Sequence, residues 1–237
     1  MSQRAEESFQ FAVGERPTLI VTNPAGSVTV TAADAGRLIV QATKTLRGVF
    51  MGGNGLEAFD RVQVTAEQRE ETVRVTVRQP SSSVGRHIVT VALAIQVPAH
   101  CALKLEVDAG TIEIVGVSSE ISGRVDAGNL TARSVTFMDR SEATVDAGNV
   151  NIEGALGDAA SLDVRVDAGS ARLTLPQRTD ATLDARVDAG SITVDGWTVE
   201  QKREFMSVRA RGQLSPDGSG ALRIKVDAGT IRLQAQR

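Results

Sequence analysis

The tetrapeptide Val-Asp-Ala-Gly occurs six times in the 237-residue chain, beginning at Val107, Val125, Val145, Val166, Val187 and Val226. A recurring internal period constrains the fold more than any composition does, because each unit must bury its apolar residues against copies of itself. The spacings are 18, 20, 21, 21 and 39 residues. The last is about twice the others, and Val208-Arg-Ala-Arg-Gly212 in its middle reads as a degenerate copy. Seven units then run from Val107 to the C-terminus.

The columns around the tetrapeptide specify the local structure. Two residues after each Gly stands Ile112, Leu130, Val150, Ala171, Ile192 or Ile231, and two further on Ile114, Ala132, Ile152, Leu173, Val194 or Leu233. Polar residues separate them, which is the period-2 signature of a strand with one buried face. The apolar Val and the apolar residue after Gly are five positions apart. An unbent strand would place them on opposite faces, so burying both requires a corner at Asp-Ala-Gly. Gly permits a positive φ there, and Asp is able to bond backbone two residues on. No stretch from Val107 onward sustains a 3.6-residue apolar period, which excludes a helical repeat.

Short strands, one recurring corner and a unit of this size predict an all-β, single-domain β-solenoid over 1–237, right-handed by expectation and filled by stacked aliphatic side chains. Regular rungs occupy 107–237 and irregular ones 9–106. In the irregular part, Pro24-Ala-Gly-Ser-Val28-Thr-Val30 matches Asp188-Ala-Gly-Ser-Ile192-Thr-Val194 apart from the Asp. Further strands are expected at Leu38–Thr43, Val62–Ala66, Val73–Arg78 and Ile88–Val97, separated by the turn-rich stretches Gly48–Gly55 and Pro80–Gly85.

The N-terminal motifs Phe9-Gln-Phe11 and Leu19-Ile-Val-Thr-Asn-Pro-Ala-Gly-Ser-Val-Thr-Val30, the later Val97-Pro98, and the Gly-x-Ile-x-Val rungs resemble the bacterial putative adhesin family. Its domain is also called the toastrack domain. The resemblance spans nearly the whole chain, and it is carried by the order of the motifs. Relatives more often have Ser-Ser-Gly-Asp-Ile at the corner, where this chain has Asp-Ala-Gly-x-Ile. The resemblance implies a β-solenoid of uncharacterised molecular function, an association with the cell envelope, and no established catalytic set to carry over.

Composition narrows the function classes. With 26 basic and 29 acidic residues the net charge is -3, which argues against nucleic acid as a partner. One cysteine excludes a disulfide framework. No apolar run reaches the roughly 18 residues needed to span a bilayer, so direct membrane insertion is not expected. Met1 to Gln10 carries charge where a secretion signal would be apolar, so cytoplasmic residence is expected.

The sharpest candidate site is the column Asp108, Asp126, Asp146, Asp167, Asp188 and Asp227. Two accounts compete. In one, each carboxylate accepts backbone N–H bonds in its corner, with Arg124, Arg165, Arg186 and Lys225 supplying positive charge. In the other, the column is a ligand ladder for calcium or a saccharide strip. Calcium repeats add further acidic positions per turn that this chain lacks, so no metal or other cofactor is expected. A polysaccharide-active β-helix enzyme would need unlike carboxylates as acid and base, and identical repeats do not provide them. The polar column Thr111, Asn129, Asn149, Ser170, Ser191 and Thr230 is expected to cap the corners locally. His100 and Cys101 are strand neighbours pointing apart, so they do not make a nucleophile–base pair.

Partner contacts are expected elsewhere. Val49, Phe50 and Met51 in their Gly-rich setting either fold over the end of the coil or face a protein partner. Trp197 and Phe205 pose the same choice, with packing favoured. The final strand, Thr230 to Arg237, would be an uncovered rung inviting self-association through the coil end. The expected function is a non-enzymatic binding or scaffold module with a protein or envelope-associated partner. The alternatives are the polysaccharide-active enzyme and a self-assembling, filament-like scaffold.

Overall fold

A computed structural model describes residues 3–34, 36–47, 61–79, 88–216 and 218–236. Every regular element among them is a β-strand, as the alternating pattern requires. The N-terminal strands are β1 (Gln3–Ala12), β2 (Thr18–Ala33), β3 (Arg37–Arg47), β4 (Gln63–Arg69), β5 (Thr72–Arg78) and β6 (Ile88–Pro98). The repeats follow as β7 (Ala102–Val115), the short β8 (Ser118–Ser119), β9 (Ile121–Phe137), β10 (Arg140–Leu156), β11 (Ser161–Pro176) and β12 (Ala181–Asp195). The chain ends with β13 (Glu200–Glu204), β14 (Ser207–Gln213) and β15 (Gly220–Gln236). All fifteen belong to one sheet.

Seven strands of this sheet form a parallel ladder in which equivalent repeat positions are direct partners. Val107 pairs with Val125, Val125 with Val145, and Val145 with Val166. β2 joins in the same register, with Gly26 opposite Gly110 and Val28 opposite Ile112, so the imperfect Pro24-Ala-Gly copy is a full member. The expected corner is present. Val107 and Ile112 are both buried, although they stand an odd number of positions apart, while Asp108 and Ala109 are exposed.

Glycine makes this corner stackable. Gly148 has φ +142°, and a Cβ built on it would lie 1.7 Å from the carbonyl oxygen of Gly128 in the next strand. The same collision recurs at Gly110, Gly128, Gly169, Gly190 and Gly229. The backbone therefore approaches its neighbour more closely than any side chain allows, and Gly is required for space as well as for conformation.

The order of the strands departs from the order of the sequence. β15 lies between β11 and β12, with Val226 opposite Val166 on one side and Val187 on the other. The reading of Val208–Gly212 as a degenerate rung is corrected: it lies in β14, which pairs antiparallel with β12 and forms a hairpin with β13. The seventh rung is β2 instead. The reading of the final strand as an uncovered end is corrected too, since β15 is paired on both sides through most of its length. Val208–Gly212 has no Asp-Ala-Gly corner, so it cannot stack on a bent rung beyond the corner.

At the other end the ladder forks. Thr18–Thr22 of β2 pairs with β5, whereas Gly26–Ala33 pairs with β6. β5 continues antiparallel into β4, and β6 into β3 and β1. Asn23 stands at the fork, in the place that Val holds in the repeats. It is fully buried, and its Nδ2 donates to the carbonyl of Val91 at 2.9 Å. A buried amide here serves a backbone group at the point where one neighbour strand ends and another begins.

The core is one contiguous aliphatic cluster running the length of the stack, with Phe137 the aromatic buried within it. Each fully buried Val, Leu or Ile contributes about 1.5–3 kcal/mol relative to exposure. The rungs hold together mainly by this stacking.

Candidate functional site

The six corner aspartates project from the outer face, exposed or half-buried, one strand apart. Asp126, Asp188 and Asp227 each pair with a cation two residues upstream on the same face. Arg124 bridges two rungs, with Nε 3.1 Å from Asp126 and Nη2 2.7 Å from Asp146. Arg186 lies 2.7 Å from Asp188 and Lys225 2.8 Å from Asp227. Asp227 holds the Lys225 ammonium protonated above its ordinary range, chiefly through the hydrogen bond between them. Arg165 turns the other way, to Glu142 at 3.1 Å.

The expectation of cationic support thus holds at Arg124, Arg186 and Lys225 and fails at Arg165. The expected backbone N–H bonds to the corner carboxylates do not occur among the described residues. The reason is geometric: the strand runs through the corner with its backbone groups engaged by neighbouring rungs. Asp108 and Asp167 have no ion-pair or hydrogen-bond partner among the described residues. No three His, Cys, Asp or Glu side chains converge there on a point that could hold a metal ion.

The polar column beside the corners behaves differently from its expected role as a set of local caps. Asn149 Nδ2 donates to Asn129 Oδ1 at 2.9 Å, and Ser170 Oγ donates to Asn149 Oδ1 at 2.6 Å. These bonds run between rungs, because in-register stacking brings equivalent side chains closer to each other than to backbone. Next to this column Arg133 pairs with Glu113 across the same two rungs as Asn129 and Thr111.

His100 and Cys101 diverge as expected. His100 Nδ1 lies 3.0 Å from the Ser118 carbonyl on the surface, while Cys101 is fully buried and its thiol is pushed up to about 12 by burial. Val49, Phe50 and Met51 lie outside the described residues. Trp197 packs partly against the core and donates from Nε1 to the Gln177 carbonyl at 3.0 Å. Phe205 does not pack: with Met206 it forms the tip of the β13–β14 hairpin, has φ +51°, and is fully exposed.

Sequence reasoning also missed a charge cluster on β12 and β14. On the outer face Asp184 receives Arg209 at both carboxylate oxygens, at 2.8 and 2.5 Å, with Arg211 3.5 Å away. The hydrogen bonds from Arg209 hold the Asp184 carboxyl below its ordinary range. Arg186, Glu200, Lys202 and Glu204 complete a surface depression of about 260 Å³. Arg209 sits in the segment read as a rung, so its antiparallel placement opposite Arg186 could not be seen in the repeat pattern.

No family model matches the chain, and neither does any curated protein. Among solved structures, a putative cell adhesion protein from Clostridium sporogenes superposes with a TM-score of 0.55 at 12% identity, covering 99% of this chain and 100% of that one. A putative adhesin from Bacteroides fragilis aligns over 97% of both chains with a TM-score of 0.43, also at 12% identity. The full-length superposition shows that this chain shares the fold of the Clostridium sporogenes putative cell adhesion protein, in agreement with its sequence resemblance to the putative adhesin family.

Proposed function

We propose that the chain is a single-domain, right-handed β-solenoid with rungs of about 20 residues, working as a non-enzymatic binding or scaffold module that meets the cell envelope through a partner. The observation that carries this reading is the alignment of like polar residues in rows across successive rungs, on an outer face where Arg124, Arg133, Arg165, Arg186 and Lys225 are tied to carboxylates. Such rows offer an extended, preorganised surface. Every corner carboxylate is exposed or half-buried, whereas acid–base catalysis by two carboxylates needs one in a setting that keeps it protonated. The fold shared with a putative cell adhesion protein supports binding in general. A cytoplasmic placement belongs to the same proposal, and cell fractionation tests it.

The experiment pairs a binding assay with a turnover assay. Immobilised protein is presented with washed envelope fractions, and soluble protein is incubated with a polysaccharide panel while reducing ends are measured. Retention of an envelope component without release of reducing ends is the expected result. Release that vanishes in Asp146→Asn and Asp126→Asn would establish the polysaccharide-active enzyme instead.

A further inference from the structure

β12 changes character halfway along. Thr182–Val187 pairs with β14 on its outer side, but beyond Val187 the hairpin turns away at Phe205 and Met206. Among the described residues no strand pairs with the outer side of Ser191–Asp195, although its inner side is fully paired with β15. The consequence shows in the core positions. Ile192 is 8% exposed where its neighbour Ile231 is 1% exposed, and Val194 is half-buried where Leu233 is fully buried. This stretch is an open sheet edge with apolar side chains waiting on one face.

Apart from the two-residue β8, the other outer strands are guarded by charge. β13 reads Glu-Gln-Lys-Arg-Glu, β1 carries Arg4, Glu6 and Glu7, and β4 carries Glu67 and Arg69. Charges of this kind keep sheet edges from pairing with other chains. Ser191-Ile-Thr-Val-Asp195 has a single charge, at its end. It is also self-complementary. In an antiparallel pairing about Thr193, Ile192 faces Val194 of the second copy on the buried side, and Ser191 faces Asp195 on the outer side. Thr193 meets its own equivalent, and a Thr–Thr pair is favourable across strands. No like charges become direct neighbours in this register.

We propose that Ser191–Asp195 is a homodimerisation edge, at which two copies join antiparallel about a two-fold axis through Thr193 to make one continuous sheet. The partner is a second copy of this chain because the edge satisfies its own hydrogen-bonding, apolar and charge pattern under that symmetry. Five residues bury a small area, so the dimer is weak and concentration-dependent, suited to a scaffold that assembles where it is enriched. The inference rests on the binding-module reading and names the partner at one part of its surface.

The test is a cross-link with a control. Residues directly opposite in an antiparallel pair have Cα atoms about 4.5–5.5 Å apart, within disulfide range. Thr193→Cys should therefore form a disulfide-linked dimer under mild oxidation. Thr131→Cys, in the same row on the interior strand β9, should not, and neither should the native chain with its buried Cys101. Thr193→Lys places two cations opposite one another and should raise the dimer dissociation constant several-fold in sedimentation velocity. Its melting temperature should not change, because Thr193 is exposed. Equal cross-linking at positions 193 and 131, or a native chain that sediments as a monomer at every concentration, overturns the proposal. A monomer that still binds envelope fractions would leave the binding-module reading intact, and a dimer that binds none would do the reverse.

Discussion

Substituting Gly148 by Ala tests whether the stack depends on glycine for space or only for conformation. Gly148 has φ +142°, a region that L-residues avoid, and its added Cβ would meet the Gly128 carbonyl at 1.7 Å, the carbonyl carbon at 2.8 Å and the amide nitrogen at 3.3 Å. Conformational strain alone costs about 1–3 kcal/mol. The contact with oxygen is far inside van der Waals distance, and the atom in the way is backbone, so the strands must separate locally. Losing two or three ladder hydrogen bonds adds about 2–4 kcal/mol. The expected total is about 3–7 kcal/mol, comparable to the whole stability of many domains. Gly36 is the control, since it has φ +86° but nothing within 4 Å of its added Cβ. In urea titrations Gly36→Ala should show the strain cost only. In thermal melts Gly148→Ala should fall about 6–28 °C below the native chain, at roughly 2–4 °C per kcal/mol. Equal destabilisation at the two positions would refute the argument that close backbone approach, rather than the positive φ, demands glycine.

Three further outcomes are expected. Asp184 has a folded-state pKa below its unfolded value because of Arg209, so its contribution is present above pH ~4 and is lost as the pH falls through the folded value. Asp184→Asn should thus flatten the acid limb of the stability–pH curve, by less than about 1 kcal/mol because the pair is solvent-screened. The Cys101 thiol, buried and pushed up to about 12, should resist a thiol reagent at pH 8 in the native state and react once urea unfolds the chain. Truncation before Gly220 removes the strand that joins β11 to β12, so circular dichroism should show loss of the cooperative transition, whereas a chain ended by a dispensable rung would keep its melting temperature.

Much of the architecture was legible because burial in a strand follows parity. Val107 and Ile112, both apolar and five apart, demand a bend, and the bend is where Asp108 to Gly110 sit. The kinship of Pro24-Ala-Gly with the repeats was visible in its position-for-position match to Asp188-Ala-Gly. The candidate site was legible only in outline. The Asp column could be named, yet Arg165 choosing Glu142 over the aspartate beside it depends on side-chain reach across rungs. Phe205 was expected to pack because it is aromatic. Its position at a hairpin tip arises from β13 and β14 pairing, which the repeat period conceals.

The primary structure determined that the chain would stack, where each rung would bend, and which face would be aliphatic. Those properties come from local periodicity and from the steric limits of single residues. The tertiary structure alone decided which rung lies beside which. Six copies with the same inward Val and the same corner Gly can stack on one another in one register, so nothing in a repeat names its neighbour. The placement of β15 between β11 and β12 is set by long-range pairing around the β13–β14 hairpin, and it moves the open edge from the end of the chain to Ser191–Asp195.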